Sequence, residues 1–274
     1  MTKRLITLMV LAACVVPLVA VADWDPQNPD PRTKWVQLPD PNGWDVRATT
    51  PKLLANDFLC EETGWITDIH LWGSWKGDIV GEFTRVHISF HKDVPAGQPS
   101  PTGLVLDHST PGEEIWSFEF DPSSGVGFRV VPVDIGIQGW YDPNTGEYNP
   151  DDHAGMWQVN IWLDQLLPIC DLFLQEEGSI YWLDVQVDVF CAAAAVDFGW
   201  KTALDVWNDD AVWSDWEPGL PKPEGDQWVE LLDPLTGESL DLAFVLTGIP
   251  IPETGTLALI GTGLLGLFAL RRRK

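Results

Sequence analysis

Tyr181-Trp182-Leu183-Asp184-Val185-Gln186-Val187-Asp188-Val189 places Tyr181, Leu183, Val185, Val187 and Val189 at every second position. Successive side chains of an extended chain point to opposite faces, so this period of two predicts a strand with one face in a core. The same alternation recurs along the chain. Val86, Ile88 and Phe90 share a face against His87, Ser89 and His91; Trp116, Phe118 and Phe120 share another, as do Trp157, Val159, Ile161 and Leu163. Asp241 to Leu246 supplies a last strand, and only Lys201 to Val212 offers weak helical spacing. Gly, Pro, Asn and Asp interrupt these runs at short intervals. Many short strands with frequent turn signals predict an all-β fold, a single jelly-roll-like β-sandwich.

Two turns repeat one pattern. Asp142-Pro-Asn-Thr-Gly-Glu147 and Asp233-Pro-Leu-Thr-Gly-Glu238 both read D-P-x-T-G-E. Proline presets φ near the start of such a turn and glycine takes the positive φ that follows, so both are expected as hairpin turns.

The ends read as addresses. Lys3 and Arg4 precede an apolar run from Leu5 to Ala22, and Ala20-Val21-Ala22 offers the small residues a signal peptidase accepts. Residues 1–22 are therefore expected to be a signal peptide and 23–33, rich in Pro, Asp and Asn, an extended linker. Leu11-Ala12-Ala13-Cys14 also resembles a lipobox, which would put a lipid on Cys14. At the other end, residues 250–274 combine Pro252, Glu253, Thr254 and Gly255 with an apolar stretch to Leu270 and Arg271-Arg272-Arg273-Lys274. About fifteen apolar residues make a helix of roughly 22 Å, shorter than the roughly 20 residues of a comfortable span. The terminal cations would stay cytoplasmic. This tail resembles a PEP-CTERM sorting signal, with Thr254 where that family has a second proline. The resemblance implies processing by an exosortase-type membrane enzyme, membrane contact through the C-terminal helix, and display at the cell surface or in the extracellular matrix. Ile251-Pro252-Glu253-Thr254-Gly255 also resembles the LPxTG signal of sortase substrates, which leads to the same destination.

Removing six of the 16 Lys+Arg and one of the 41 Asp+Glu with these ends leaves a body of 10 cations and 40 anions, a formal charge of −30. Such a surface repels phosphate backbones and anionic headgroups, which excludes nucleic-acid binding. It suits solubility outside the cell and attracts cations. At residues 34–249 the main domain has length enough for one core. All 16 Trp lie in the body, so the core is expected to be aromatic, with surplus rings on the surface. Three cysteines remain after signal removal, Cys60, Cys170 and Cys191; an odd count allows at most one intramolecular bridge, and spacing does not choose the pair.

The body also resembles a family of bacterial extracellular domains of unknown function (DUF7901-like). The resemblance rests on Lys34-Trp-Val-Gln37, Ala55-Asn-Asp-Phe-Leu-Cys60, Thr67-Asp-Ile-His-Leu-Trp-Gly-Ser-Trp75, Tyr181-Trp-Leu-Asp-Val-Gln186, Phe198-Gly-Trp-Lys-Thr202, Asn208-Asp-Asp-Ala-Val-Trp213 and Asp241-Leu-Ala-Phe-Val245. It implies secretion, often with a sorting or dockerin tail, and no activity.

Chemistry is sparse in the sequence. His87 and His91 share a strand face, but four residues at about 3.3 Å each hold them roughly 13 Å apart, too far for one zinc ion. Oxygen-rich loops at Asp142, Asn144, Asp151 and Asp152, and at Asn208, Asp209 and Asp210, are candidates for Ca²⁺, although the EF-hand spacing fails. Glu61-Glu62, Glu113-Glu114 and Glu176-Glu177 are adjacent, so in strands their carboxylates diverge and do not form a glycosidase pair. No nucleophile elbow, P-loop or dinucleotide glycine pattern occurs. Carbohydrate binding is the better expectation. Trp72, Trp75, Trp162, Trp213 and Trp216 lie beside Asp, Asn or Ser, as rings that stack on sugars often do. A regular strand would expose only one of Trp72 and Trp75, since their separation is odd. The sequence thus reads as a non-enzymatic envelope or exopolysaccharide-matrix protein that binds extracellular polysaccharide or is structural; a secreted glycan-processing enzyme is the rival.

Overall fold

The computed structural model describes residues 24–251. The expected signal peptide (1–22), the motif residues Pro252-Glu253-Thr254-Gly255 and the expected C-terminal helix lie outside the described residues. Fourteen strands follow in chain order: β1 (Thr33–Gln37), β2 (Trp44–Arg47), β3 (Lys52–Leu59), β4 (Gly64–Trp75), β5 (Glu82–Val94), β6 (Thr110–Phe120) and β7 (Phe128–Asp142). Then come β8 (Glu147–Trp162), β9 (Leu174–Gln175), β10 (Ile180–Phe190), β11 (Phe198–Lys201), β12 (Val212–Asp215), β13 (Val229–Glu230) and β14 (Phe244–Pro250). One short helix, α1 (Leu163–Leu166), follows β8. The weak helical spacing at 201–212 forms no helix.

The strands make two sheets. One runs β13-β12-β3-β10-β5-β6 and the other β1-β14-β4-β11-β2-β7-β8, with β9 added to β4. The larger sheet curls on itself. β4 pairs with both β11 and β8, β8 with β7, β7 with β2 in parallel, and β2 with β11, which closes a ring of five strands. The architecture is an all-β sandwich.

The alternation read in the sequence turns its apolar members inward. Leu183, Val185 and Val187 of β10, Val86, Ile88 and Phe90 of β5, and Val159 and Ile161 of β8 all lie buried between the sheets. The opposite faces are covered as well. Leu53, Ala55, Trp182, Val212, Trp216 and Trp228 form a second apolar cluster outside the six-stranded sheet. Trp24, Trp72, Met156, Ala243 and Val245 form a third outside the other. Trp24 meets Trp72 edge to face at 6.1 Å, so the segment expected as an extended linker is docked at its start. Three apolar layers absorb most of the tryptophans.

Both D-P-x-T-G-E segments fold alike. Asp142 Oδ1 accepts from Asn144 N, its carbonyl accepts from Gly146 N, and Gly146 has φ 69°. Asp233 Oδ1 accepts from Leu235 N and Thr236 N, its carbonyl from Gly237 N, and Gly237 has φ 71°. The first joins β7 to β8, and the second closes the Leu232–Ser239 bridge.

Candidate functional site

At one end of the sandwich the two sheets part and leave an open cleft of about 390 Å³. Trp75 ends β4 and Trp157 comes from β8; Val80, Gly81, Glu82 and Phe83 lead into β5; Pro122, Ser123, Phe128 and Val130 complete the wall. Local sequence explains the shape. Asp121 caps the turn after β6 by accepting from Ser123 N at 2.8 Å, an interaction that holds its carboxyl below the usual range, and Gly125 closes the turn at φ 68°. A side chain at Gly81 would press a Cβ to 3.2 Å from the Trp75 ring, so glycine lets the ring reach the cleft. The aromatic floor is closely packed: Phe83 lies 5.1 Å from Trp75, 4.8 Å from Phe198 and 5.3 Å from Phe128. Trp157 is half-buried, and Glu82 and Ser123 are exposed at the rim.

The five tryptophans singled out in the sequence do not form one platform. Trp75 floors the end cleft but is only 2 % exposed. Trp72 and Trp75 do face opposite ways, yet neither is exposed, because both faces of the sheet carry an apolar layer. Trp72 instead lines a second groove, about 480 Å³, beside Trp24, Pro26 and Met156. Trp216 is buried on the far sheet and donates from Nε1 to Leu220 O at 2.9 Å. Trp213 is half-buried beneath the Lys52 ammonium, 4.8 Å from its centroid, and Trp162 is half-buried at the end of β8. The expectation of exposed stacking rings is therefore corrected for Trp72, Trp75 and Trp216: these are chiefly core residues.

The acidic loops are committed to protein donors. Asp142 accepts from Arg47 Nη1 at 3.2 Å as well as from the turn, and Asp152 from Gly77 N at 2.7 Å and Asn149 Nδ2 at 3.2 Å. Asn144 donates to Asp215 and Asn208 to Asp57, while Asp209 accepts from Ser109 N. Asp151 is exposed and Asp210 half-buried. Among the described residues no group of three or more His, Cys, Asp or Glu is arranged to hold a metal ion.

A buried polar hub, unread in the sequence, lies on the outer face of the six-stranded sheet. Asp184 of β10 is fully buried, and its Oδ2 accepts from Lys222 Nζ at 2.9 Å and His91 Nε2 at 2.8 Å. His87 Nε2 stands 3.6 Å from Oδ1, so two imidazoles distant along β5 converge on one carboxylate of the neighbouring strand. Lys222 also bonds His87 Nε2 at 2.8 Å and Ser89 Oγ at 3.1 Å, beneath Trp216. Burial opposes the charge on Asp184, but Lys222 and His91 outweigh it and hold the carboxyl far below its ordinary value. Burial lowers His87 to about 4, so it is neutral, whereas Asp184 keeps His91 above its usual pKa against the same burial. Ser89, His91 and Asp184 do not make a nucleophilic triad. One nitrogen, His91 Nε2, faces both Ser89 Oγ and Asp184, and Ser89 is fully buried. His70 lies in the other sheet against Asn160.

Among the described residues Cys60, Cys170 and Cys191 are free thiols. Cys60 is buried, donates to Glu62 O at 3.3 Å, and is pushed up to about 11 by burial, which makes it inert.

Fold and cleft define the class: an all-β domain with tryptophan-rich apolar layers, a buried polar hub and an aromatic-lined end cleft. The chain belongs to the DUF7901 family, a domain of unknown function whose model matches residues 33–247. A PEP-CTERM protein-sorting motif matches residues 250–274. No curated protein and no solved structure matches the chain. The sorting motif marks a protein exported for membrane-anchored surface display and processed by exosortase, a membrane enzyme. Among the described residues no helix is long and apolar enough to cross a membrane.

Proposed function

We propose that this protein is a non-enzymatic glycan-binding component of the bacterial envelope or exopolysaccharide matrix, with the end cleft as its binding site. The observation that carries the reading is the cleft's composition: a closely packed aromatic floor, a half-buried Trp157 and a carboxylate and hydroxyl at the rim. An apolar sugar face would stack on Trp157, backed by the buried floor, while Glu82 and Ser123 take hydroxyl hydrogen bonds, the usual division of labour in a mostly apolar pocket. The fixed floor supports binding without closure, because rings held by their neighbours lose little freedom on association. The sorting motif implies export and surface display, which supports a ligand met outside the cytoplasm.

The test is tryptophan fluorescence of the purified mature protein titrated with bacterial and algal polysaccharides. A saturable, sugar-specific change is expected, weakened about tenfold or more by Trp157→Ala, equivalent to about 1.4 kcal/mol or more. Glu82→Gln, at an exposed position, weakens it less and leaves folding intact. No response from folded protein to any glycan removes the binding reading and leaves a structural matrix role. Depolymerisation of a glycan replaces it with the enzyme.

A further inference from the structure

Three strands of the larger sheet bring Asp45, Lys201 and His153 together. Asp45 of β2 and Lys201 of β11 are direct register partners, so their side chains project to the same side. All three side chains are fully buried. Lys201 Nζ lies 3.1 Å from Asp45 Oδ2 and donates to Gly43 O at 2.7 Å. His153 Nε2 lies 2.9 Å from the same Oδ2, and its Nδ1 is 3.1 Å from Asp152. Asp45 Oδ1 is buried with no hydrogen-bond partner.

A salt bridge explains this geometry poorly. It keeps two charges out of water and leaves one carboxylate oxygen orphaned, and both are expensive in a protein interior. Removing that one oxygen resolves both defects.

We propose that Lys201 and Asp45 condense to an intramolecular amide, with His153 donating to the carbonyl oxygen. Lys201 passes the proton it shares with Oδ2 to that oxygen, and the neutral Nζ then attacks Cγ. A second proton moves from Nζ to Oδ1, the Cγ–Oδ1 bond breaks, and the Oδ2 proton leaves with Oδ1 as water. His153 Nε2–H donates to Oδ2, which becomes the carbonyl oxygen, as a preorganised donor does in acyl transfer. An ammonium and a carboxylate contain the atoms of an amide and one water, so no oxidant, reductant or co-reactant enters. In the product the amide N–H keeps Gly43 O, the carbonyl keeps His153, and the orphaned oxygen is gone. The fold supplies what the reaction lacks in water: reactants fixed together, with effective molarities of about 10⁵–10⁸ M in well-oriented cases, and removal of charge from a dry site. The Asp45 and Asp152 carboxylates outweigh burial and raise the His153 pKa, which keeps the donor protonated.

Two other buried pairs lack these conditions. Lys52 is equally buried, but its partner Asp215 is 46 % exposed and stays hydrated. Lys222 holds His87, Ser89 and Glu114 as well as Asp184, and an amide would desert them. The Lys201–Asp45 bond would tie positions 156 residues apart in a domain without a disulfide among its described residues.

Intact-mass measurement of the denatured mature protein decides the matter, with Lys201→Arg as the reference so that processing of the ends cancels. The wild type is expected about 18 Da lighter than its sequence requires, with Lys201→Arg at full mass. Peptide mapping should join the Asp45 and Lys201 peptides, a readout that needs no variant to fold. A wild type at full mass, with the two peptides separate, overturns the proposal and leaves a hydrated or orphaned ion pair. His153→Ala, if folded, should form the bond at least tenfold more slowly; an unchanged rate would remove the role given to His153.

Discussion

Asp57 shows how one carboxyl couples this fold to pH. It lies on the outer face of β3, fully buried, and its Oδ2 accepts from Asn208 Nδ2 at 2.6 Å. Burial raises its pKa to about 8 against that hydrogen bond, helped by Asp241, Asp93 and Asp209; burial likewise lifts Asp241 to about 7. Such groups hold a proton in the folded state that the unfolded chain releases near pH 4. Their contribution is complete below about pH 4 and declines as pH rises through the folded values. His87, depressed to about 4, works in the opposite sense, since its neutral form favours the fold above about 6.5 and is lost as pH falls towards 4. Above about pH 6.5 that opposing slope is exhausted, and the two carboxyls alone among these three groups still titrate. Asp57→Asn keeps an oxygen for Asn208 and removes the proton, so its stabilising effect should be roughly 3–4 kcal/mol larger at pH 8 than at pH 5. Thermal melts of both proteins at the two pH values measure this; equal shifts at both would mean that Asp57 ionises freely.

Turns and straps obey the same local physics on a larger scale. Gly146 and Gly237 occupy the left-handed region in the two matching turns, and a Cβ at either would meet nothing within 4 Å. Alanine there should therefore cost about 1–2 kcal/mol from φ alone, nearly equal at both sites and additive in the double variant. Chemical denaturation gives the three values, and a large inequality would show that the turns differ in what they support. The strap from Trp216 to Trp228 is held differently, by Lys222 inserted among Asp184, His87, Ser89 and Glu114. Lys222→Ala leaves a buried carboxylate without its ammonium, a loss of about 3–5 kcal/mol. Limited proteolysis should then cut the exposed 217–221 stretch faster; unchanged cutting would mean the two tryptophans alone pin the strap. The turns were legible in the sequence because Asp, Pro and Gly act on their own neighbours. The hub was not, because His87, Asp184 and Lys222 meet only through strand order and a return loop. Periodicity marked β5, β8 and β10 correctly, yet it could not tell that Trp72 and Trp216 lie under a second layer. A period of two says which residues share a face and is silent on what covers that face.

Across the whole molecule the dominant force left over is repulsion. The body carries 10 cations, and structure accounts for many of them: Arg47, Arg85, Lys52, Lys201 and Lys222 each sit against carboxylates or within the interior. These ions neutralise particular acids locally, which leaves most of the 40 anions facing solvent or one another. A surface of one sign destabilises the compact state, and mobile ions screen it over about 10 Å at 0.1 M salt. Stability should therefore rise with ionic strength, the reverse of what surface salt bridges would give. The acidic loops sharpen the comparison, since Asp142, Asp152 and Asp209 are already bonded to protein donors. With those oxygens engaged, the expectation is that Ca²⁺ screens like any other divalent cation. Melts in NaCl, MgCl₂ and CaCl₂ at matched ionic strength should show a common upward trend, with the two divalent salts superimposed. A further rise with Ca²⁺ alone, saturating in the micromolar to millimolar range and reversed by chelation, would mean that one of these loops rearranges to bind the ion, in which case Asp142→Asn and Asp209→Asn would identify it.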